Sequence, residues 1–161
     1  MRVIVNTSPL IALHRIERVN LLRDLYTQVV CPQSVVDEIE TGVRKGYAAF
    51  STWPSWVSVE PDPLAKAFRR ELGAGESAVL ALALVSKADL VVLDDLQARL
   101  VAAELDVRTT GTLGILAAAQ HHGLIVSARR EAQQLQAAGF RIHPALIEAL
   151  PASLDVGQSK S

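Results

Sequence analysis

The chain has 161 residues, of which half are apolar and a fifth charged, and its formal net charge is −1. This length fits one domain with its own hydrophobic core, and the composition excludes an intrinsically disordered chain. No apolar stretch approaches the ~18 residues that a membrane-spanning helix needs, so we expect a soluble protein with no membrane partner. The near-neutral net charge is only weak evidence against a nucleic-acid partner, because a phosphate group responds to the charge close to its binding site and not to the net charge of the chain.

Two features of the sequence indicate a reducing compartment. The strand-like run at 1–5 starts at once and leaves no room for a signal peptide. Cys31 is the single cysteine, which excludes an intramolecular disulfide, and we expect it to be a buried small apolar residue. We therefore expect a cytoplasmic protein.

Short β-branched runs alternate with longer helical patterns along the chain. Strands are predicted at residues 3–5, 29–31, 57–59, 90–93 and 107–109. Helices are predicted at residues 9–26, 34–40, 64–72, 77–87, 96–105, 113–122, 128–138 and 144–150. The alternation is typical of an α/β fold with a central parallel sheet between helices. We predict one domain at 1–150, with a surface excursion at 42–54, and a flexible tail at 151–161.

The most informative segment is the apolar run at 90–93, which leads directly into Asp94 and Asp95. In open α/β sheets ligands bind beyond the carboxyl ends of the strands, and clustered carboxylates there suit a hard divalent cation. Asp95 is also explained as the N-cap of the following helix. Capping leaves Asp94 unexplained, and a carboxylate beside a buried strand is costly unless it faces a cation or a polar cleft.

The first predicted strand ends in Asn6, followed by Thr7, Ser8 and Pro9. Ser8 or Thr7 as N-cap, with Pro9 at the first helical position, explains the last three of these residues. Asn6 is left over at the carboxyl end of its strand. In a parallel sheet it would lie in the same layer as Asp94, so we keep Asn6 as a candidate site residue.

Two glutamates are further candidates. Glu38 lies at the edge of the apolar face of its predicted helix, where a carboxylate turns either to solvent or into a cleft, whereas Asp37 points away from that face. Glu76 follows Gly73 and Gly75 and falls in the first turn of the next helix, where a negative charge suits the helix dipole. A dinucleotide-binding loop is excluded, because the glycines do not follow a strand; we expect them to form a tight turn.

Thr112 opens a predicted helix after the last strand, where it caps the helix or presents its hydroxyl to a phosphate. The histidines show no metal-ligand spacing, and no nucleophile elbow or phosphate-binding loop occurs. Arginines are the candidates for contacts with a nucleic-acid backbone, although most arginines are simply solvated. Those we single out are Arg99, Arg108, Arg129 and Arg130.

Five segments in this order resemble the PIN domain family. They read VNTSPLIAL at 5–13, SVVDEI at 34–39, GAGESA at 73–78, LDD at 93–95 and TGTLGIL at 110–116. The resemblance extends to about residue 148 and is greatest to prokaryotic PIN-like proteins related to the ribonuclease toxins of type II toxin-antitoxin systems. It implies a three-layer α/β/α fold and a Mg²⁺- or Mn²⁺-dependent site for cleavage of single-stranded RNA.

By position, the resemblance assigns the acidic metal ligands of the family to Asn6, Glu38, Glu76, Asp94 and Asp95. It also gives Thr112 the task of orienting water, metal or phosphate. The family commonly has aspartate where this chain has Asn6, whose amide oxygen still coordinates a cation but adds no charge and cannot act as a base. The resemblance further implies a toxin whose partner is a small antitoxin protein, and it allows a homodimer.

Carboxylates that hold one or two Mg²⁺ ions meet the needs of phosphodiester hydrolysis, which are a nucleophile at neutral pH and stabilisation of developing charge. The leading hypothesis is therefore a metal-dependent endoribonuclease. The Asn6 departure favours a second hypothesis, a PIN-like module that binds RNA or protein without turnover. A third, a phosphohydrolase on another Rossmann-like sheet, rests on the paired aspartates but lacks a convincing catalytic lysine.

Overall fold

Five parallel strands form the centre of the fold. The computed structural model describes residues 1–44, 50, 53–63 and 72–152. Within them the strands are β1 (Arg2–Val5), β2 (Gln28–Pro32), β3 (Val57–Glu60), β4 (Leu90–Val92) and β5 (Thr109–Thr110), in the spatial order β3-β2-β1-β4-β5. Helices flank the sheet, which confirms the predicted three-layer α/β/α fold.

The described helices are α1 (Thr7–Arg15), α2 (Asn20–Leu25), α3 (Gln33–Arg44), α4 (Ala74–Ser86), α5 (Leu96–Glu104), α6 (Thr112–His121), α7 (Ala128–Ala137) and α8 (Pro144–Glu148). Most lie within a few residues of their predicted positions. The predicted excursion at 42–54 begins too early, because α3 continues to Arg44. The predicted helix at 64–72 and the tail at 151–161 lie almost wholly outside the described residues.

The core of the sheet consists of β1 and β4, which pair in parallel with Val5 opposite Val92. Val3, Ile4 and Val5 are fully buried, and so is Leu93, directly after β4. Both strands are apolar throughout their buried length because helices cover both faces. Burial of each such side chain contributes about 1.5–3 kcal/mol, so the two strand ends that carry Asn6 and Asp94 are firmly held.

The predicted single helix at 9–26 is wrong, because the chain forms two helices there. Helix α1 ends at Arg15, and Glu17 adopts the left-handed conformation with φ of 59°. The backbone N–H of Arg18 then donates to the carbonyl of Leu13 at 2.7 Å. A non-glycine residue at positive φ interrupts the helical hydrogen-bond series, so α2 starts in a new direction.

The predicted start of α1 also needs correction. Asn6, rather than Ser8 or Thr7, is the N-cap residue, and its side chain makes no capping hydrogen bond. Pro9 is therefore the third helical residue and not the first. Its missing N–H remains harmless, because the N–H groups of the first helical turn have no acceptor within the helix. The side chain of Asn6 is therefore available for a contact other than helix capping.

Cys31 lies in β2 and is fully buried, as expected. Burial raises the pKa of its thiol to about 12. Such a thiol stays protonated at neutral pH and is a poor nucleophile. Among the described helices, none is long and apolar enough to cross a membrane.

Candidate functional site

The chain order of the strands reverses between β1, the central strand of the sheet, and its neighbour β4. Asn6 follows β1, and its backbone N–H donates to the carbonyl of Val92 at 2.9 Å. Asp94 lies two residues beyond Val92. Ligands of open parallel sheets bind in the crevice at such a reversal, outside the carboxyl ends of the strands. The structure therefore places Asn6 and Asp94 at the preferred binding position of this fold.

Asn6 is buried, with 2 % of its surface exposed. Its Nδ2 donates a long hydrogen bond of 3.4 Å to Oε1 of Glu76, in the first turn of α4. Its Oδ1 is buried and has no hydrogen-bond partner among the described residues. Leaving a buried carbonyl oxygen without a partner lowers stability by about 1–3 kcal/mol, so this position favours a cation or a hydrogen-bond donor in contact with Oδ1.

Glu38 joins the same group from α3. Its Oε2 accepts a hydrogen bond of 2.7 Å from Thr7 Oγ1, and its Oε1 accepts one of 2.9 Å from the backbone N–H of Gly75. These contacts turn the carboxylate toward the ends of α1 and α4, although the residue as a whole is exposed. Both oxygens of the Glu38 carboxylate are thus hydrogen-bonded, and its role in a site stays a prediction.

The glycines before and within α4 make room for these carboxylates. A Cβ atom at Gly75 would lie 2.9 Å from Cδ of Glu38, and one at Gly73 would collide with Oε2 of Glu76. Gly73 has φ of −62°, which every residue type adopts. The backbone conformation at position 73 therefore does not require glycine. A side chain at either position would displace the carboxylate that lies against it, and this close approach of Glu38 and Glu76 was not visible in the sequence.

Asp94 is bound to the beginning of α6. Its Oδ1 accepts from the backbone N–H of Thr112 at 2.7 Å, and its Oδ2 accepts from the Thr112 hydroxyl at 2.6 Å. A Cβ atom at Gly111 would lie 2.7 Å from Oδ1 of Asp94, so a side chain there would push the carboxylate out of this position. Thr112 is buried, and its two donors fix the orientation of the carboxylate. The hydroxyl of Thr112 thus serves Asp94 and does not cap α6.

Asp95 has the capping role that the sequence offered as the simpler explanation. It is the N-cap of α5, and its Oδ1 accepts from the backbone N–H of Ala98 at 2.8 Å. A cap of this kind contributes about 1 kcal/mol to helix stability. A metal role for Asp95 stays a prediction.

A family model described as a PIN domain, DUF3368, matches residues 2–155. The chain belongs to the PIN domain family. PIN domains are generally nucleases, which are hydrolases, and typically use divalent metals. The chain therefore has a nuclease fold. A search among curated proteins finds no match.

The side chains of this PIN domain form two groups in the structure. Asn6, Glu38 and Glu76 are connected through α4, whereas Asp94 is connected to Thr112. Across the described ranges, no three side chains of His, Cys, Asp and Glu lie close enough together to hold a metal ion. A site made only of carboxylates is therefore not assembled in this arrangement.

The donor set nevertheless fits a hard cation. Every candidate ligand is an oxygen, and Mg²⁺ is usually held by one or two carboxylates together with waters and substrate phosphates. The unpaired Oδ1 of Asn6 supplies a neutral oxygen, and Nδ2 of the same amide faces the Glu76 carboxylate. A PIN-domain metal would be held by Asn6 and Glu76, with Glu38 and Asp94 as further oxygen ligands, direct or through water.

The four arginine candidates differ in their surroundings. Arg129 donates through Nε and Nη2 to the carbonyls of Leu150 and Glu148 at 2.9 Å each, so its guanidinium is bound at the end of α8. Arg108 and Arg130 are exposed. Arg99 and Asp94 line one cavity of about 600 Å³. A contact between any of the four arginines and a nucleic acid stays a prediction.

Proposed function

We propose that the protein is a metal-dependent endoribonuclease that hydrolyses phosphodiester bonds of single-stranded RNA. The observation that carries the proposal is the unpaired, buried Oδ1 of Asn6, in an amide whose Nδ2 faces Glu76, at the strand reversal of a nuclease fold. The orphan oxygen of Asn6 is satisfied if a cation binds there, and the acids around it are the ligands such a cation prefers.

The proposed roles follow from the contacts. Asn6 and Glu76 hold Mg²⁺ or Mn²⁺, and Glu38 is kept in place by Thr7 and Gly75 as a further or water-mediated ligand. Asp94, fixed by Thr112, is the carboxylate at the other side of the crevice. When bound, such an ion lowers the pKa of its water and stabilises the charge that develops on the phosphate.

The proposal extends to the cellular role. We propose that this ribonuclease acts in the cytoplasm as the toxin of a type II toxin-antitoxin pair and that a small antitoxin protein covers the acidic crevice. The support is the resemblance of the five sequence segments to the toxin ribonucleases. A homodimer is compatible with this role.

A second function has an observation in its favour. Asn6 replaces the usual aspartate and brings no charge, and the described acids are not assembled into one group. Both features favour a PIN-like module that binds RNA or protein without turnover. Metal binding and catalysis therefore have to be measured separately.

The first experiment measures cleavage of a panel of single-stranded RNAs by the purified protein with Mn²⁺, with Mg²⁺ and with EDTA. We expect cleavage with either metal and none with EDTA, because the carboxylates alone cannot generate the nucleophile at neutral pH. RNA binding without cleavage under all three conditions would reject the enzyme and select the binding module. Cleavage that persists in EDTA would also reject the proposed chemistry.

The substitution Asn6→Asp tests the metal position directly. We expect it to strengthen Mn²⁺ binding about tenfold in calorimetry, because it adds a full charge next to a cation in a partly buried site. Without metal it places a second carboxylate beside Glu76, so the variant should melt below the wild type and recover more when Mn²⁺ is added.

Asn20→Asp is the matched control for this change, because Asn20 is exposed at the beginning of α2. It should leave Mn²⁺ affinity unchanged. If Asn6→Asp binds Mn²⁺ no better than the wild type does, Asn6 does not belong to the metal site.

A further inference from the structure

A cavity of about 600 Å³ adjoins Asp94 and Thr112. It lies between the beginning of α6, one side of α1 and the chain that connects α7 with α8. Its volume falls in the range of about 300–1,000 Å³ that is typical of pockets for small ligands. Asn6, Glu38 and Glu76 do not line it, so the cavity is a separate feature that meets the proposed catalytic crevice at Asp94.

The charged residues that line the cavity are Asp94, Arg99 and Arg141. The cavity wall thus carries two arginines and one aspartate, although the whole chain is slightly negative. Neither guanidinium group forms a hydrogen bond or ion pair within the part of the chain that the structure describes. Unpaired arginines beside a cavity favour an anionic ligand, and their planar groups suit phosphate oxygens.

The remaining wall is largely apolar and includes one aromatic ring, Phe140, together with Ile142 and Leu146. The position of Phe140 is fixed by the end of α7. Gly139 adopts φ of 100°, and the backbone N–H of Phe140 donates to the carbonyl of Leu135 at 3.0 Å. This helix-ending turn folds Phe140 back against Leu135, which also lines the cavity.

We propose that this cavity binds one nucleotide of a single-stranded RNA, with the base against Phe140 and the adjoining phosphate between Arg99 and Arg141. The choice of RNA rests on the proposed function; the anionic and aromatic character of the ligand rests on the cavity itself. Aromatic side chains stack with any base, and arginines contact the backbone, which together give binding that tolerates different sequences. The bound nucleotide would place its neighbour on the strand near Asp94.

The test uses a fluorescein-labelled single-stranded RNA heptamer with 2′-O-methyl groups, which resist cleavage, in the presence of EDTA. Fluorescence anisotropy then reports binding without metal and without turnover. We expect Arg141→Ala to weaken binding about 5-fold or more and to lower the slope of log affinity against log salt by about 0.7, the contribution of one phosphate contact on a single strand. Arg141 is exposed, so this variant should fold normally.

Phe140→Leu tests the stacking contact. Leucine keeps the apolar packing of this half-buried position but has no π face, so we expect about 5-fold weaker binding or more with an unchanged salt slope. Circular dichroism of each variant checks the fold. Arg23→Ala is the charge-matched control, because Arg23 is exposed on α2 and its ion pair among the described residues is with its neighbour Asp24.

The outcomes separate this inference from the proposed function. If Arg141→Ala and Phe140→Leu bind the heptamer as well as Arg23→Ala does, the nucleotide assignment of the cavity is overturned, whatever the cleavage assay shows. If both bind more weakly while the wild type cleaves no RNA with any metal, the cavity assignment stands and the ribonuclease proposal falls. A DNA heptamer of the same sequence that binds equally well would support the stacking and phosphate contacts and show that they do not depend on the 2′ substituent of the sugar.

Discussion

Replacement of Asp94 by asparagine is expected to lower metal-dependent RNA cleavage at least about 100-fold, the upper range for groups that only support a metal ligand. Asparagine is nearly isosteric with aspartate. Its Oδ1 still accepts from the N–H of Thr112, and its Nδ2 donates to the hydroxyl, so the contact with α6 persists. The substitution thus removes the negative charge and keeps the contact between residue 94 and α6. Single-turnover cleavage with Mn²⁺ and the melting temperature are the two measurements.

Asp37→Asn is the matched control for this substitution. Asp37 precedes Glu38 on α3, is exposed and accepts a hydrogen bond of 3.0 Å from Gln33, so loss of its charge should not change the cleavage rate. If Asp94→Asn cleaves RNA at the wild-type rate and Asp94→Ala does not, the charge of Asp94 is not needed for catalysis. If both variants cleave at the wild-type rate, either Asp94 is not catalytic or a contaminating nuclease produces the activity.

Asp95→Asn decides the question that the capping contact leaves open. Asparagine caps a helix about as well as aspartate does, so α5 should be unaffected. A fall in cleavage of this variant would therefore come from the lost charge and would add Asp95 to the metal site.

The site residues at the carboxyl ends of the strands were predictable from the sequence, because buried strands are recognised by their runs of apolar residues. The apolar runs that end at Val5 and Leu93 mark strands covered on both faces, and a parallel arrangement places whatever follows them at one edge. Asn6 and Asp94 were found in this way. Each is the residue that capping or packing did not explain.

The supporting contacts were not predictable, because they join segments far apart in the sequence. Nothing near Glu38 indicates that its carboxylate meets the backbone of Gly75. The same holds for the break between α1 and α2, since glutamate at position 17 is not a residue type that signals positive φ. Phe140 and Arg141 were also missed, although Gly139 after a helical pattern is a signal for the turn that positions them.

The largest expected effect on stability comes from Arg18 and Glu131, two residues that are not among the candidate site residues. Nε and Nη2 of Arg18 donate to Oε1 of Glu131 at 3.0 and 2.7 Å and join the α1–α2 connection to the beginning of α7. The Glu131 side chain is 8 % exposed, and its Oε2 has no partner within the described residues. These hydrogen bonds raise the pKa of the Arg18 guanidinium. A raised pKa in the folded state stabilises the protein below the unfolded value, so the contribution is complete at neutral pH.

Arg18→Met is expected to lower the free energy of unfolding by about 2–3 kcal/mol, because it leaves the Glu131 carboxylate buried without a cation. Breaking a fully buried ion pair costs about 3–5 kcal/mol, and we expect less here because the Arg18 side chain is 44 % exposed. The melting temperature should fall by roughly 5–10 °C. Addition of Glu131→Met should recover most of the loss, because no buried charge then remains. Arg23→Met, at an exposed pair, should change stability by less than about 0.5 kcal/mol. If the double variant is no more stable than Arg18→Met alone, the loss comes from the packing of the arginine and not from the stranded carboxylate.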